Sequence, residues 1–346
     1  MKRVRALQSI VAGSRRALPV ATVYGLGVWL MAGAAARGWW MEMLLFLLSA
    51  WLMVQLNDRN LLIRIYSRAV SVTFVLLSSA AVFLFPSLSG GFLQVCMIAS
   101  LAGLYSCYQD HTAVGRTYYC FVVLGLGSVA DVHLLWYVPA YYLLMGMIVY
   151  CLSWRTLLAS VLGLLTPYWL MAPLLVVADG GSMDALADHL AALADHFAAL
   201  ADVQTPLSLA DVQTPLSEQS QQSDLLSGIA DPRLMLPRAL LLALVTSMGI
   251  TGSIHFLRNS RLDKIRVRQL YYGLMLLGAY SLAGIAVQPQ CFDMFVRMLI
   301  VATSALFGHF AALTHTRVTN VACLVVAVLI AVLTAYNLWS SWSSGS

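Results

Sequence analysis

Apolar residues in this chain neither alternate with polar ones nor repeat as a one-sided stripe; they form long blocks broken by short polar punctuation. Eleven blocks fall at about 18–36, 39–56, 69–86, 92–107, 117–130, 133–153, 156–177, 237–257, 269–287, 294–313 and 320–338. Most approach the roughly 20 residues an α-helix needs to cross ~30 Å of hydrocarbon. Within lipid every backbone N–H and C=O needs a partner inside the chain, so these blocks predict helices. A spanning barrel would show segments of about 10 residues with alternating polarity, and the sequence has none. The expected fold is all-α: a polytopic transmembrane helical bundle of about 11 spans. Residues 1–177 form an N-terminal membrane bundle (about seven spans), 178–236 a long polar loop, and 237–346 a C-terminal membrane segment (about four spans). The fifth block is the weakest, short for a span and separated from the sixth by Asp131 and His133.

Cation placement gives these blocks a direction. With the N-terminus inside, one side collects Lys2, Arg3, Arg5, Arg15, Arg16, Arg59, Arg64, Arg68, Arg116, Arg155, Arg258, Arg261, Lys264, Arg266, Arg268 and Arg317. The other side holds only Arg37, Arg233, Arg238 and Arg297. Positive charge stays cytoplasmic, and a wrong span count would scramble the alternation beyond the error. The bias therefore predicts a cytoplasmic N-terminus and, after eleven crossings, a C-terminus outside. The opening MKRVRALQSIVAGSRRALPVATVYGLGVWLMAGAAA resembles a signal peptide, but its apolar run is longer than an h-region and it reads as an uncleaved first span. Trp39, Trp40, Trp136, Tyr137, Trp339 and Trp342 fall at proposed interfaces, as an aromatic belt requires.

Composition agrees. Hydrophobic residues make up 60% of the chain and charged ones 10%, with mean hydropathy +0.81, whereas soluble domains carry about 25% charged residues. The net charge of +5 does not indicate nucleic acid, because the cations flank apolar blocks rather than forming a soluble patch. The partner it implies is the bilayer, with anionic headgroups at the basic loop RNSRLDKIRVR, residues 258–268. Protein partners stay open.

Residues 178–236 hold nine of the fifteen acidic residues. ALADHLA, ALADHFA and ALADVQT follow at a period of seven, and LADVQTPLS then occurs twice. Leu186, Leu190, Leu193, Phe197 and Leu200 predict one amphipathic helix; Pro206 and Pro215 oppose its continuation. His189 and His196 lie roughly 10 Å apart along such a helix, too far to share a metal ion. Duplication within a length-tolerant loop is the preferred account of this low-complexity repeat.

Candidate chemistry is sparse. GLGSVA at 125–130 fits a dinucleotide fingerprint, which has meaning only between a strand and a helix; inside an apolar block it is a chance match. No cofactor or metal site is expected. Cys107, Cys120, Cys151 and Cys323 map to one depth and read as small buried residues, while Cys96 and Cys291 lie toward the outside and are the one pair placed to form a disulfide. Ionisable residues near the bilayer cost roughly 2.5–3.5 kcal/mol to insert, so the outer group Glu42, Asp131, His133, Asp293 and Arg297 holds the catalytic candidates. Asp131 and His133 could act as an acid–base pair; Asp293 and Arg297, four apart, predict a local ion pair. His309, with His255, marks a possible intramembrane polar site, most simply an interhelical hydrogen bond. Ala99/Gly103, Gly249/Ser253 and Ala279/Ala283 would allow close helix approach, and Pro167 and Pro173 predict a kink in the seventh block.

WLMVQLNDRNLLIRIYSRAVSVTFVLL (51–77) and SWRTLLASVLGLLTPYWL (153–170) resemble segments of an uncharacterised family of multi-pass inner-membrane proteins from Bacteroidota, a likeness extending over roughly 20–175. It implies a bacterial inner membrane and a periplasmic long loop; it carries no activity with it. The expected function is thus that of a non-enzymatic envelope component, transporter-like or scaffold. The alternative is a membrane-embedded enzyme or flippase acting on a lipid-linked envelope precursor at the periplasmic face.

Overall fold

The computed structural model describes residues 16–60, 67–178, 232–314 and 317–343, together with Ser14, Ala191 and Ala194. Apart from Ala191 and Ala194, the repetitive segment with its expected amphipathic helix lies outside the described residues.

Among the described residues every regular element is helical. The main helices are α1 (Ala17–Met31), α2 (Trp40–Asn60), α3 (Ala69–Ala80), α4 (Leu88–Ser106), α5 (Val114–Ala130), α6 (Val138–Leu143), α7 (Trp154–Ala178), α8 (Pro232–Asn259), α9 (Ile265–Val287), α10 (Phe292–Leu313) and α11 (Arg317–Ser343). Seven of them, α2, α4 and α7–α11, are long and apolar enough to cross a membrane; the other four blocks form shorter apolar helices. The shortfalls have local causes. α3 stops at Ala80, and a 3-10 turn, Val82–Leu84, leads into Pro86. α6 is entered through a 3-10 turn, Val132–Tyr137, and left through a π turn, Leu144–Ile148.

Helix α10 is the centre. In its most apolar stretch 89% of residues are buried, against 17% for α11. Its neighbours are α3, α8, α9 and α4. On α8, a Cβ at Gly252 would stand 2.7 Å from the Leu306 carbonyl carbon, so only glycine permits this approach. Overpacking there would cost about 1–3 kcal/mol. The predicted Gly249/Ser253 pair lies on this contact, with Gly249 against Thr303, whereas Ala279 and Ala283 are exposed and take no part in close packing.

The α5–α7 pair packs as closely. A Cβ at Gly163 would come within 2.5 Å of the Tyr118 carbonyl oxygen, and one at Gly125 within 2.7 Å of the Leu164 oxygen and 3.1 Å of the Pro167 ring. The first glycine of GLGSVA is therefore a packing residue. Pro167 and Pro173 sit inside one uninterrupted helix assignment. Buried tyrosines tie α4, α6 and α9 together: Tyr141 meets Ser100 at 2.7 Å, Tyr105 donates to the Leu270 carbonyl at 3.0 Å, and Tyr137 meets Ser281 at 2.8 Å. Tyr137 is fully buried and does not join an interfacial belt, while Trp40, Trp339 and Trp342 are exposed. Its hydroxyl gains a partner inside that lipid cannot supply.

Candidate functional site

Three polar turns meet at one end of the bundle. Ser87 caps α4 by accepting from the Gly90 N–H at 2.9 Å. Asp131 ends α5 and caps the following 3-10 turn, accepting from the His133 N–H at 3.0 Å and meeting His133 Nδ1 at 2.8 Å. Pro289–Cys291 forms a further 3-10 turn leading into α10. Together these enclose a cavity of about 210 Å³ whose lining includes Ser87, Asp131, His133, Cys291, Asp293 and Arg297. Four of the five sequence candidates thus share one cavity. The fifth, Glu42, lines a small adjoining space of about 30 Å³ that also touches Arg297.

Arg297 is the unusual member. Only 5% of it is exposed, and the expected ion pair with Asp293 does not form. The guanidinium instead donates from Nη2 to the Leu84 carbonyl at 2.7 Å and from Nη1 to Gln94 Oε1 at 3.2 Å. Both acceptors are neutral, Nε has no hydrogen-bond partner, and among the described residues no carboxylate lies within ion-pair distance. Asp293 turns to Arg238 of α8 at 3.5 Å, a contact held by Arg238 packing over Phe83 and Phe292. Space for the Arg297 head group depends on Gly90, where a Cβ would lie 2.7 Å from Nη2 and 2.9 Å from Nε. Burying a charge costs several kcal/mol unless it is compensated; here the direct acceptors are neutral, and the Asp293 carboxylate acts only from beyond ion-pair distance.

His133 lies in the turn outside the spanning helices, its side chain half-exposed. The Asp131 carboxylate, followed by the neighbouring Cys291 thiol, pushes the imidazole pKa up to about 10 against opposing desolvation. The pair therefore presents a protonated ring at neutral pH beside a buried cation. The cavity wall thus sets two cationic groups, His133 and Arg297, among two carboxylates, Asp131 and Asp293.

The C-terminal end of α10 is built differently. His309 Nε2 meets Asp263 Oδ2 at 3.2 Å, with side chains only 1% and 3% exposed. Phe256, Tyr271 and His255 ring the imidazole, the His255 centroid at 5.9 Å. The structure thus joins His309 and His255, and adds Asp263 from the basic loop. In that loop Arg266 reaches Asn60 Oδ1 at 3.4 Å and packs over Tyr108.

Cys96 and Cys291 are both free thiols, so the disulfide allowed by their depth is not formed. Sequence reasoning missed Gln94, Gly90, Arg238 and the placement of Cys291 beside His133. The one available signal was the position of Cys291 just before a span already holding Asp293 and Arg297. A second space of about 210 Å³, lined by Val72, Leu76, Met248, Phe307 and Leu324 among others, has no charged lining residue, and Thr73 and Asn320 are its polar members. No family model, curated protein or solved structure matches the chain.

Proposed function

We propose that the chain crosses a bacterial inner membrane eleven times with its N-terminus in the cytoplasm, and that the cavity at the head of α10 is a periplasmic site for the anionic headgroup of a lipid-linked envelope precursor. The four short helices then complete the crossings, and the basic loop 258–268 rests on anionic headgroups at the opposite face. Arg297 binds the substrate anion, the Asp131–His133 pair serves acid–base chemistry, and Arg238 with Asp293 borders the entrance.

One observation carries this reading. Arg297 is a buried guanidinium with neutral partners and an unused Nε, and it lines a cavity shared with an acid–base pair. An incoming phosphate or carboxylate would offer the guanidinium direct charge-assisted hydrogen bonds in place of neutral acceptors. This favours an enzyme or flippase over a scaffold, which has no need of a buried cation at a cavity wall.

The test is binding by the full chain in nanodiscs, comparing phosphatidylglycerol with phosphatidylcholine by native mass spectrometry. Retention of phosphatidylglycerol that depends on Arg297 supports the site; equal retention by wild type and Arg297→Gln overturns it. Lipid analysis of a deletion strain then identifies the precursor by its accumulation.

A further inference from the structure

The cavity lining is mixed in sign, and that narrows what it binds. Asp293 and Arg297 line the same space from neighbouring turns of α10, about 6 Å apart along its axis, yet they do not pair. The guanidinium is drawn off to the Leu84 carbonyl and Gln94, which leaves a cation and a carboxylate standing apart on one wall. We propose that the headgroup bound here is zwitterionic: a phosphate received by Arg297, joined through a two-carbon spacer to a primary ammonium received by Asp293, as in phosphoethanolamine. The proposal rests on the reading of this cavity as a lipid headgroup site and names the class of headgroup.

The Asp293 carboxylate is the acceptor that the fold leaves open. Its side chain is half-exposed, and the one cation within ion-pair distance among the described residues, Arg238 Nη2, stops 3.5 Å from Oδ1. Arg238 is held there by packing over the Phe83 and Phe292 rings, and Oδ1 accepts no hydrogen bond. Nor is the carboxylate spent on the helix end, since the N-cap of α10 is Cys291 and carries no side-chain cap. The second carboxylate of the cavity is already engaged: Asp131 Oδ1 takes the backbone N–H and Nδ1 of His133.

The phosphate end has its own donors. Ser87 Oγ and Arg297 Nη2 both lie 2.7 Å from the point where a Gly90 Cβ would stand, so a hydroxyl flanks the guanidinium. Of the four charged side chains lining the cavity, Arg297 and His133 are opposed by Asp131 and Asp293, and Arg238 borders Asp293 from outside the lining. A purely anionic headgroup gains at Arg297 and is repelled by Asp293. An ammonium on the same headgroup turns that repulsion into attraction and leaves the first contact intact. A primary ammonium also brings three N–H donors to the carboxylate, whereas a quaternary ammonium brings the same charge and none.

The test is lipid competition for the full chain in nanodiscs, read by native mass spectrometry. The probes are phosphatidylethanolamine, its mono- and dimethyl derivatives, phosphatidylcholine and phosphatidylglycerol. Retention should fall stepwise with methylation, by roughly 10-fold between phosphatidylethanolamine and phosphatidylcholine, the scale of one hydrogen bond to a charged group. Asp293→Asn keeps the shape of the side chain and removes its charge. It should erase most of that preference while phosphatidylglycerol retention stays equal or rises, because the repulsion leaves with the charge. A purely structural Asp293 would lower both lipids together, and that result overturns the assignment. Equal retention of phosphatidylethanolamine and phosphatidylcholine by wild type overturns it without any variant, as does a preference that survives Asp293→Asn. The two readings fail separately. No ethanolamine preference, with phosphatidylglycerol retention still dependent on Arg297, removes the ammonium site and leaves the anion site; retention indifferent to Arg297→Gln removes both.

Discussion

The two ends of α10 pose the same physical problem and solve it in opposite ways. Arg297 and His309 lie twelve residues apart on one helix, about 18 Å along its axis, and both are buried. At the C-terminal end His309 is matched to Asp263 and enclosed by aromatic rings. At the N-terminal end, Arg297 has two neutral acceptors and lines an open cavity. Burial therefore does not distinguish a structural polar group from a functional one. On the proposed reading, what separates them is whether a carboxylate meets the charged group directly.

That difference can be broken at either end. The largest effect is expected from His309→Ala, which strands Asp263 without its partner. A buried pair that loses one member costs about 3–5 kcal/mol, to be read as a lower unfolding temperature in detergent. His309→Leu combined with Asp263→Leu should cost less than His309→Ala alone; an equal or greater cost would mean that the pair does not act as a unit. At the N-terminal end Arg297→Gln should weaken anionic-lipid binding on the order of 100-fold, the scale for truncating a buried charged contact, with the unfolding temperature unchanged or raised. Loss of stability comparable to that of His309→Ala would erase the proposed contrast.

Smaller effects sharpen it. Gly90→Ala places a methyl where the Arg297 head group lies, and should weaken the same binding by roughly 10-fold through local overpacking. The His133 pKa is raised from 6.5 to about 10, so its positive charge is fully present below the lower value, persists through neutrality and is lost as pH rises through the upper one. Lipid affinity should fall over that upper range, and Asp131→Asn should move the fall to lower pH in a binding titration. Deleting residues 183–222 should change least: membrane insertion, followed by fractionation, should remain intact.

Much of the fold was legible before the structure. Each apolar block coincides with an apolar helix because hydrocarbon burial acts on residues adjacent in the chain. The site was legible only as a set of depths. Asp131, His133, Asp293 and Arg297 were selected because each is costly near a bilayer, but the expected Asp293–Arg297 pair was a local guess, and a helix 55 residues earlier in the chain replaced it through Arg238. Gly90 and Gln94 carry no signal without knowledge that α4 lies against α10. Cys291 was read as a disulfide partner because depth alone cannot say that it lines a cavity with His133 while Cys96 packs against Gly127.

By itself, the sequence determined the helical class, the number and order of apolar blocks and the asymmetry of the cations, since each follows from interactions within one helix or between a helix and its solvent. Only the tertiary structure decided that α10 is the central helix, that Asp263 meets His309, and that Leu84 and Gln94 give Arg297 neutral acceptors. Those outcomes depend on which helices touch, and contact between elements far apart in sequence is set by the packing of the whole bundle rather than by any local pattern.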